Sequence, residues 1–431
     1  MFKQILNNFR KFDIYKFLIY AAIVAVIPYY NLSGTPAMAL GAIALGIAMI
    51  SSVEFCALCV AYSIPFAIGV QEVFGAVNLN NAIQLVFVLK AIIDGKGLLS
   101  VNKVIQIFAI ALATQLLPMI ACYQNIMNVI ILSINILLLV IYYKLVRGRR
   151  LPYITTFVAF SLGVLISCFV ALYGSFEIRN SEYLEYDFFR FCGLWTDPNF
   201  LGAFCTIALA TCLHLSQGKT KNLLLLSPIM MLTLFFGFKT LSFTYIVLLV
   251  VVIGVFVMSH SKNTGQLFLL GLICVIVVAP YIVEKIDNVM SVRIVGDDSD
   301  VSHGRFTSSL DLLSIWFSNI QYFLFGYGYM NTLGAIKDLV GHHAASHNTY
   351  VDIITELGFF LNVVLWGSAV RKGYISRKYL KPLFSQLGII IFVTLLTLGT
   401  VSGLKYEFVF IFIACYIAQV ENEYNLNSAT L

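Results

Sequence analysis

Apolar residues run through this chain in long blocks separated by short polar clusters, without the sustained alternation of a half-buried surface. Crossing about 30 Å of hydrocarbon as a helix takes roughly 17–25 residues. Blocks near that length fall at about 14–31, 35–51, 53–71, 79–94, 102–122, 126–143, 153–174, 198–216, 221–238, 240–258, 265–283, 349–370, 384–400 and 402–419, about fourteen in all. Two polar segments interrupt the series, one at about 175–197 and one at about 284–348. No internal repeat, low-complexity stretch or Gly/Pro linker marks a second domain. The expectation is therefore one all-α transmembrane domain over 1–431, with 12–14 helices and a single long loop at 284–348 between late helices.

Composition strengthens this reading. Hydrophobic residues make up 60% of the chain and charged ones 11%, against about 25% charged in soluble domains. Lipid accepts apolar side chains on the outside of every helix, which resolves the shortage of polar surface. The net charge of +6 does not point to nucleic acid, because the cations sit in short clusters between apolar blocks. With the N-terminus inside and the spans alternating, the inner clusters are Lys3, Arg10 and Lys11; Lys96 and Lys103; Lys144, Arg147, Arg149 and Arg150; Lys219 and Lys221; Lys262; and Arg371, Lys372, Arg377, Lys378 and Lys381. The other side carries Arg179, Arg190, Lys239, Lys285, Arg293, Arg305, Lys337 and Lys405. This imbalance sets a cytoplasmic N-terminus and puts both long polar segments on the opposite face. Met1 to Lys16 is basic and amphipathic with no small-residue cleavage pattern after it, so no cleavable signal peptide is expected. Nearly all nine cysteines fall in apolar blocks; Cys56 and Cys59 form a lone CxxC at helical spacing and are expected to be packing residues, not a disulfide.

The chemistry is expected on the outer face. Arg190 lies in Phe188-Phe189-Arg190-Phe191-Cys192-Gly193-Leu194-Trp195-Thr196-Asp197-Pro198-Asn199. Asp197 suits an N-cap and Pro198 the first helical position, while Trp195 suits the membrane interface. Arg190 thus stands at headgroup level, where the plainer role is a snorkelling arginine on lipid phosphate. Arg305 follows Gly304 in the long loop, before Leu310, Leu313, Phe317 and Ile320 at helical spacing, a stretch that lies along the interface or packs on the bundle. An ordinary solvated charge is its plainer role. Lys239, at a tight turn before Thr240-Leu241-Ser242, needs an anionic partner or water between its apolar neighbours. Together these cations suit a phosphate or diphosphate.

The long loop ends Gly341-His342-His343-Ala344-Ala345-Ser346-His347-Asn348-Thr349-Tyr350. Ser346 or Asn348 can cap the following helix, which leaves His347 in or beside its first turn. The positive helix end disfavours imidazolium there, so a neutral imidazole is available as a general base. A metal site from His343, His347 and Asp338, or a purely structural His347, are the rivals. Glu356 sits nine positions after His347, on the opposite face of a continuous helix and more than about 13 Å along it. It cannot orient His347 directly, but a carboxylate in a span needs a partner or a cavity. Trp316, Tyr322, Tyr327, Tyr329 and Tyr350 could stack on sugars, although tyrosine is also common at membrane interfaces.

These residues resemble two signatures of the bacterial O-antigen polymerase and ligase superfamily. One is Arg190-x-x-Gly193 leading to Asp197-Pro198-Asn199 and Gly202. The other is Phe325-Gly326-Tyr327-Gly328 followed by His347-Asn348-x-Tyr350, Glu356 and Gly358, with Gly304-Arg305 in place of a second loop arginine. The resemblance covers about 188–360. It departs at Lys239-Thr240-Leu241-Ser242, where the family often has a Ser-Arg pair, and in a span count above the roughly twelve typical of ligases. It implies a GT-C-type glycosyltransferase architecture and transfer of a glycan from an undecaprenyl-diphosphate donor to a lipid-linked repeat-unit hydroxyl, with inversion. His347 would be the base, and Arg190 and Arg305 would hold the diphosphate. Lys239, Asn199, Asn348, Tyr350 and Glu356 are candidate binding residues; no metal or cofactor is implied. A ligase transferring to lipid A core and a lipid-linked oligosaccharide flippase are the alternatives, and a chain-length regulator is a candidate partner beside membrane lipid. The implied location is the bacterial inner membrane, with the site on the periplasmic face.

Overall fold

The computed structural model describes residues 13–67, 69–71, 73–74, 77–94, 97–121, 124–175, 191–195, 197–216, 219–260, 305–331, 348–376 and 407–428. The regular elements among them are helices: α1 Ile14–Tyr29, α2 Gly34–Ile50, α3 Val53–Ser63, α4 Leu79–Ile93, α5 Val101–Ala121, α6 Ile126–Arg147, α7 Tyr153–Tyr173, α8 Pro198–Ser216, α9 Thr220–Lys239, α10 Phe243–His260, α11 Arg305–Ser318, α12 Ile320–Phe325, α13 Thr349–Ser376 and α14 Glu407–Ser428. No strand forms among the described residues beyond an isolated bridge between Phe74 and Val77. By length and composition, five helical stretches suit a full membrane crossing: Val101–Ile120, Ile126–Arg147, Tyr153–Tyr173, Pro198–Ser216 and Thr220–Lys239. Shorter apolar helices accompany them, and the chain is an all-helical protein of the multi-pass membrane kind.

Expected spans 265–283 and 384–400 lie outside the described residues. Others need correcting. The block at 53–71 ends its α-helix at Ser63 and closes with a 3₁₀ turn, Ile64–Phe66, because Pro65 supplies no N–H to continue the ladder. The block at 349–370 is helical but broken at Gly358, whose φ of 68° no regular helix contains. The last block is helical from Glu407 among the described residues and runs on to Ser428, past the apolar residues. Its polar end is held by α6: Tyr143 OH donates to Glu421 Oε2 at 2.6 Å and Asn422 Nδ2 donates to the Val146 carbonyl at 3.0 Å.

The chain divides into two compact units, one from Met1–Phe87, Leu151–Ser299 and Pro382–Thr394, the other from Val88–Arg150, Asp300–Lys381 and Leu395–Leu431. In the first, α8 is buried along nearly its whole length between α7, α9 and α10. Buried tyrosines tie α1 to α3, since Tyr62 OH donates to the Ala21 carbonyl at 3.0 Å and Tyr20 OH to that of Cys59 at 3.4 Å. Cys56 and Cys59 are buried and form no disulfide, as their spacing predicts, and Cys56 Sγ donates to the Ala48 carbonyl at 2.9 Å. In the second unit, α14 lies along α6, α5 packs antiparallel to α6, and α11 and α12 pack on α13.

Candidate functional site

His347 and Arg190 lie outside the described residues. So do His343 and Asp338 of the metal alternative, and among the described residues no group of three His, Cys, Asp or Glu could hold an ion. Arg305 is the first residue of α11; its backbone alone is described. The other candidates fall into two clusters, one in each unit.

The first cluster is built where α8 begins and α9 ends. Asp197 Oδ1 accepts the Asn199 N–H at 2.7 Å, the expected cap ahead of Pro198. Asn199 is buried, and its Oδ1 accepts from Ser242 Oγ at 2.7 Å. The turn holding Ser242 closes on itself: Thr240 Oγ1 donates to the Gly237 carbonyl at 2.7 Å and accepts the Ser242 N–H at 3.2 Å. Gly202 and Gly237 let this turn come so close, since a Cβ on either would run into Tyr245. Lys239 closes α9, where the negative helix end favours a cation. Its Nζ lies 5.8 Å from the Phe191 ring centre and 5.3 Å from that of Phe235, within cation–π range. No carboxylate pairs with it among the described residues. The Phe191 N–H donates to the Lys239 carbonyl at 3.1 Å, so the residue bonded to Arg190 is tied to the end of α9. Trp195, just ahead of α8, is buried with its ring edge-on to Phe204 at 5.2 Å. The indole finds apolar contact inside the unit, which a sequence window cannot reveal.

The second cluster is a buried, non-helical run, Gly326 to Asn331, laid across the break in α13. Each backbone N–H of this run has a partner. Gly326 donates to Tyr322 O at 2.8 Å, Tyr327 to Thr355 O at 2.9 Å, Gly328 to Glu356 O at 3.0 Å and Asn331 to Gly328 O at 3.1 Å. Tyr329 donates to Gln115 Oε1 at 2.8 Å and Met330 to Glu356 Oε2 at 3.0 Å. Gln124 Nε2 donates to the Tyr329 carbonyl at 2.9 Å and to Gln115 Oε1 at 3.0 Å. Such full pairing is what lets irregular backbone exist away from water. Gly326 and Gly358 cross backbone to backbone, each with positive φ, and a Cβ on either would overlap the other strand of chain. Asn362 Nδ2 finishes the first half of α13 by donating to the Gly358 carbonyl at 2.7 Å and that of Ile354 at 2.9 Å.

Positive φ at Gly326, Gly328 and Met330 breaks the run out of extended geometry, in which Tyr327 and Tyr329 would share a face, and the two side chains enter different clusters. Tyr327 enters an apolar cluster with Leu312 and Trp316, and Tyr329 one with Ala111, Val129 and Leu132. Both tyrosines are fully buried and Trp316 nearly so, which corrects the suggestion that they offer faces to sugars. The apolar stripe expected along α11 and onto Ile320 lies mostly on the outside. Leu310, Phe317 and Ile320 are exposed, Phe317 by 66%, while Leu312 and Trp316 face the core. Both sets have helical spacing, so the pattern alone could not choose between them.

Asn348 is the N-cap of α13, with Oδ1 accepting the Tyr350 N–H at 3.0 Å. Tyr350 is half-buried in the first turn. Glu356 is 6% exposed at the other end of this half-helix. Asn199 and Lys239 are thus brought to one turn, and Asn348, Tyr350 and Glu356 to one half-helix. Sequence reasoning passed over Gln115, Gln124, Asn135 and Asn362. Their signal was available, as neutral amides inside apolar blocks. Comparison with known proteins found no matching family model, no matching curated protein and no matching solved structure.

Proposed function

We propose that the chain is a polysaccharide polymerase of GT-C type. It transfers a glycan from an undecaprenyl-diphosphate donor to the hydroxyl of a lipid-linked repeat unit, at the periplasmic face of the bacterial inner membrane. The observation that carries this is the hydrogen bond from the Phe191 N–H to the Lys239 carbonyl at 3.1 Å. It ties Phe191, which follows Arg190 in the sequence, to the end of α9, whose lysine ammonium is held between aromatic rings. The capped start of α13 is in keeping with the same reading, because His347 directly precedes the cap residue Asn348 in the sequence.

In this mechanism His347 accepts the proton of the acceptor hydroxyl as its oxygen attacks the anomeric carbon of the donor. The bond from that carbon to the diphosphate oxygen breaks, and the electron pair leaves with the diphosphate. Attack opposite the leaving group inverts the centre. Arg190, Arg305 and Lys239 stabilise the charge that builds on the diphosphate, so the chemistry needs no metal. The exposed apolar face of α11 suits a helix lying against lipid.

The test is reconstitution in lipid nanodiscs with undecaprenyl-diphosphate-linked repeat units and gel analysis of products, with His347→Ala and Arg305→Ala alongside. A ladder that needs both residues supports the polymerase. Transfer seen only when lipid A core is supplied makes it a ligase. A full ladder from the His347→Ala protein at normal membrane levels ends the proposed base mechanism.

A further inference from the structure

The second unit carries a charged feature at the far end of the α5–α6 pair from the Gly326–Asn331 run. The run meets α5 at Gln115, the connection before α6 at Gln124, and α6 at Asn128 and Asn135. Lys103 begins α5, and Lys144, Arg147, Arg149 and Arg150 stand at and just past the end of α6. α6 has 22 residues, about 33 Å of helix, so its two ends are roughly a bilayer apart.

These cations are held in place more than they are neutralised. Lys144 Nζ donates to the Gly97 carbonyl at 2.8 Å. Arg147 Nη1 donates to Tyr143 OH at 2.9 Å, with its Nε 3.4 Å from Glu421 Oε2. Arg150 pairs with Asp94 at 2.8 Å. Lys103 and Arg149 are exposed, with no side-chain hydrogen bond or ion pair among the described residues. Five cations thus stand against Asp94 and Glu421. Lys90, one turn before Asp94, adds a further cation on α4. The carbonyl end of a helix also tolerates this charge well.

We propose that this end of the unit binds the headgroup of an anionic phospholipid. A cation cluster at the end of an apolar helix attracts anionic lipid, and the fixed arginines offer forked donors to a phosphate. A lipid fits better than a soluble anion because apolar side chains flank the cluster on α4 and α5: Ile93 is 79% exposed, Val101 59% and Ile105 60%. Acyl chains would lie there while the headgroup meets Lys103 and Arg149. This inference is independent of the glycosyltransferase proposal and stands or falls without it.

The test is native mass spectrometry of the full chain released from micelles containing phosphatidylglycerol and phosphatidylcholine with identical acyl chains at equal concentration. Phosphatidylglycerol adducts should exceed phosphatidylcholine adducts roughly fivefold. A Lys103→Gln/Arg149→Gln protein should fall close to parity, while Lys103→Arg/Arg149→Lys keeps the preference. Lys219→Gln/Lys221→Gln, which removes two exposed cations elsewhere, should leave it unchanged. Parity in the unaltered protein overturns the proposal, as does a preference that survives in the Lys103→Gln/Arg149→Gln protein. An equal loss in the Lys219→Gln/Lys221→Gln protein overturns it as well, by showing a general charge effect. Displacement of the lipid by millimolar inorganic phosphate would make the ligand a free anion and overturn the lipid assignment.

Discussion

The Glu356 carboxylate accepts the Met330 N–H at 3.0 Å while the carbonyl of the same residue accepts the Gly328 N–H at 3.0 Å. One residue at the end of a half-helix therefore holds both ends of a three-residue stretch of irregular backbone. The side-chain bond is replaceable and the carbonyl bond is not, which gives the first prediction. Glu356→Gln keeps an acceptor for Met330, whereas Glu356→Leu leaves a buried N–H unpaired, at about 1–3 kcal/mol. Thermal unfolding in detergent should rank wild type above Glu356→Gln and Glu356→Gln above Glu356→Leu. A Leu variant as stable as the Gln variant would show that this bond contributes nothing.

Gly326→Ala and Gly358→Ala should each abolish monodisperse protein on size exclusion. Their φ values of 77° and 68° already cost an L-residue about 1–3 kcal/mol, and the new methyl would sit on the backbone of the other segment. Gly46→Ala is the control, because a Cβ there meets nothing within 4 Å. It should be neutral or stabilising by up to about 1 kcal/mol, alanine being the better helix former.

The Asn199–Ser242 bond lends itself to a double-mutant cycle. Asn199→Ala and Ser242→Ala each remove one partner of a buried 2.7 Å hydrogen bond. Coupling of about 0.5–1.5 kcal/mol is expected in equilibrium unfolding. Additive effects would mean that the α8 start and the turn after α9 are held by packing alone.

Lys239 separates charge from shape under the proposed function. Lys239→Arg should keep polymer formation, and Lys239→Gln should lower it roughly tenfold, about 1.4 kcal/mol at the transition state. Initial rates of ladder formation in nanodiscs measure this. An unchanged rate in the Gln variant would leave Lys239 as a helix-end cation only.

Parts of this arrangement were legible residue by residue. Asp197-Pro198 announces a helix start because a capping carboxylate and an imino acid suit orphan N–H positions, and α8 begins there. Asn348 was one of two possible caps, and it takes the role. Gly326, Gly328 and Gly358 stood out in the sequence only through the resemblance, without their reason. For Gly326 and Gly358 that reason is a backbone crossing between segments distant in the chain, and for Gly328 it is the close approach of the Gln124 and Pro118 side chains. The expected 349–370 span fails for the same cause, since its composition suits an unbroken helix and only the partner strand demands a turn at Gly358.

By itself the sequence determined where the chain becomes helical and apolar. Backbone groups in lipid must pair locally, and block length and hydropathy follow from that need. It also determined the helix starts, which are local side chain to backbone chemistry. Only the tertiary structure decided which apolar face is buried, with Leu312 and Trp316 inside and Phe317 outside. It likewise decided that Tyr327 and Tyr329 are core residues and that Gln115, Gln124 and Glu356 pair with backbone. Those outcomes depend on what a distant segment brings into contact, and hydrogen bonds across such contacts leave no period in the sequence.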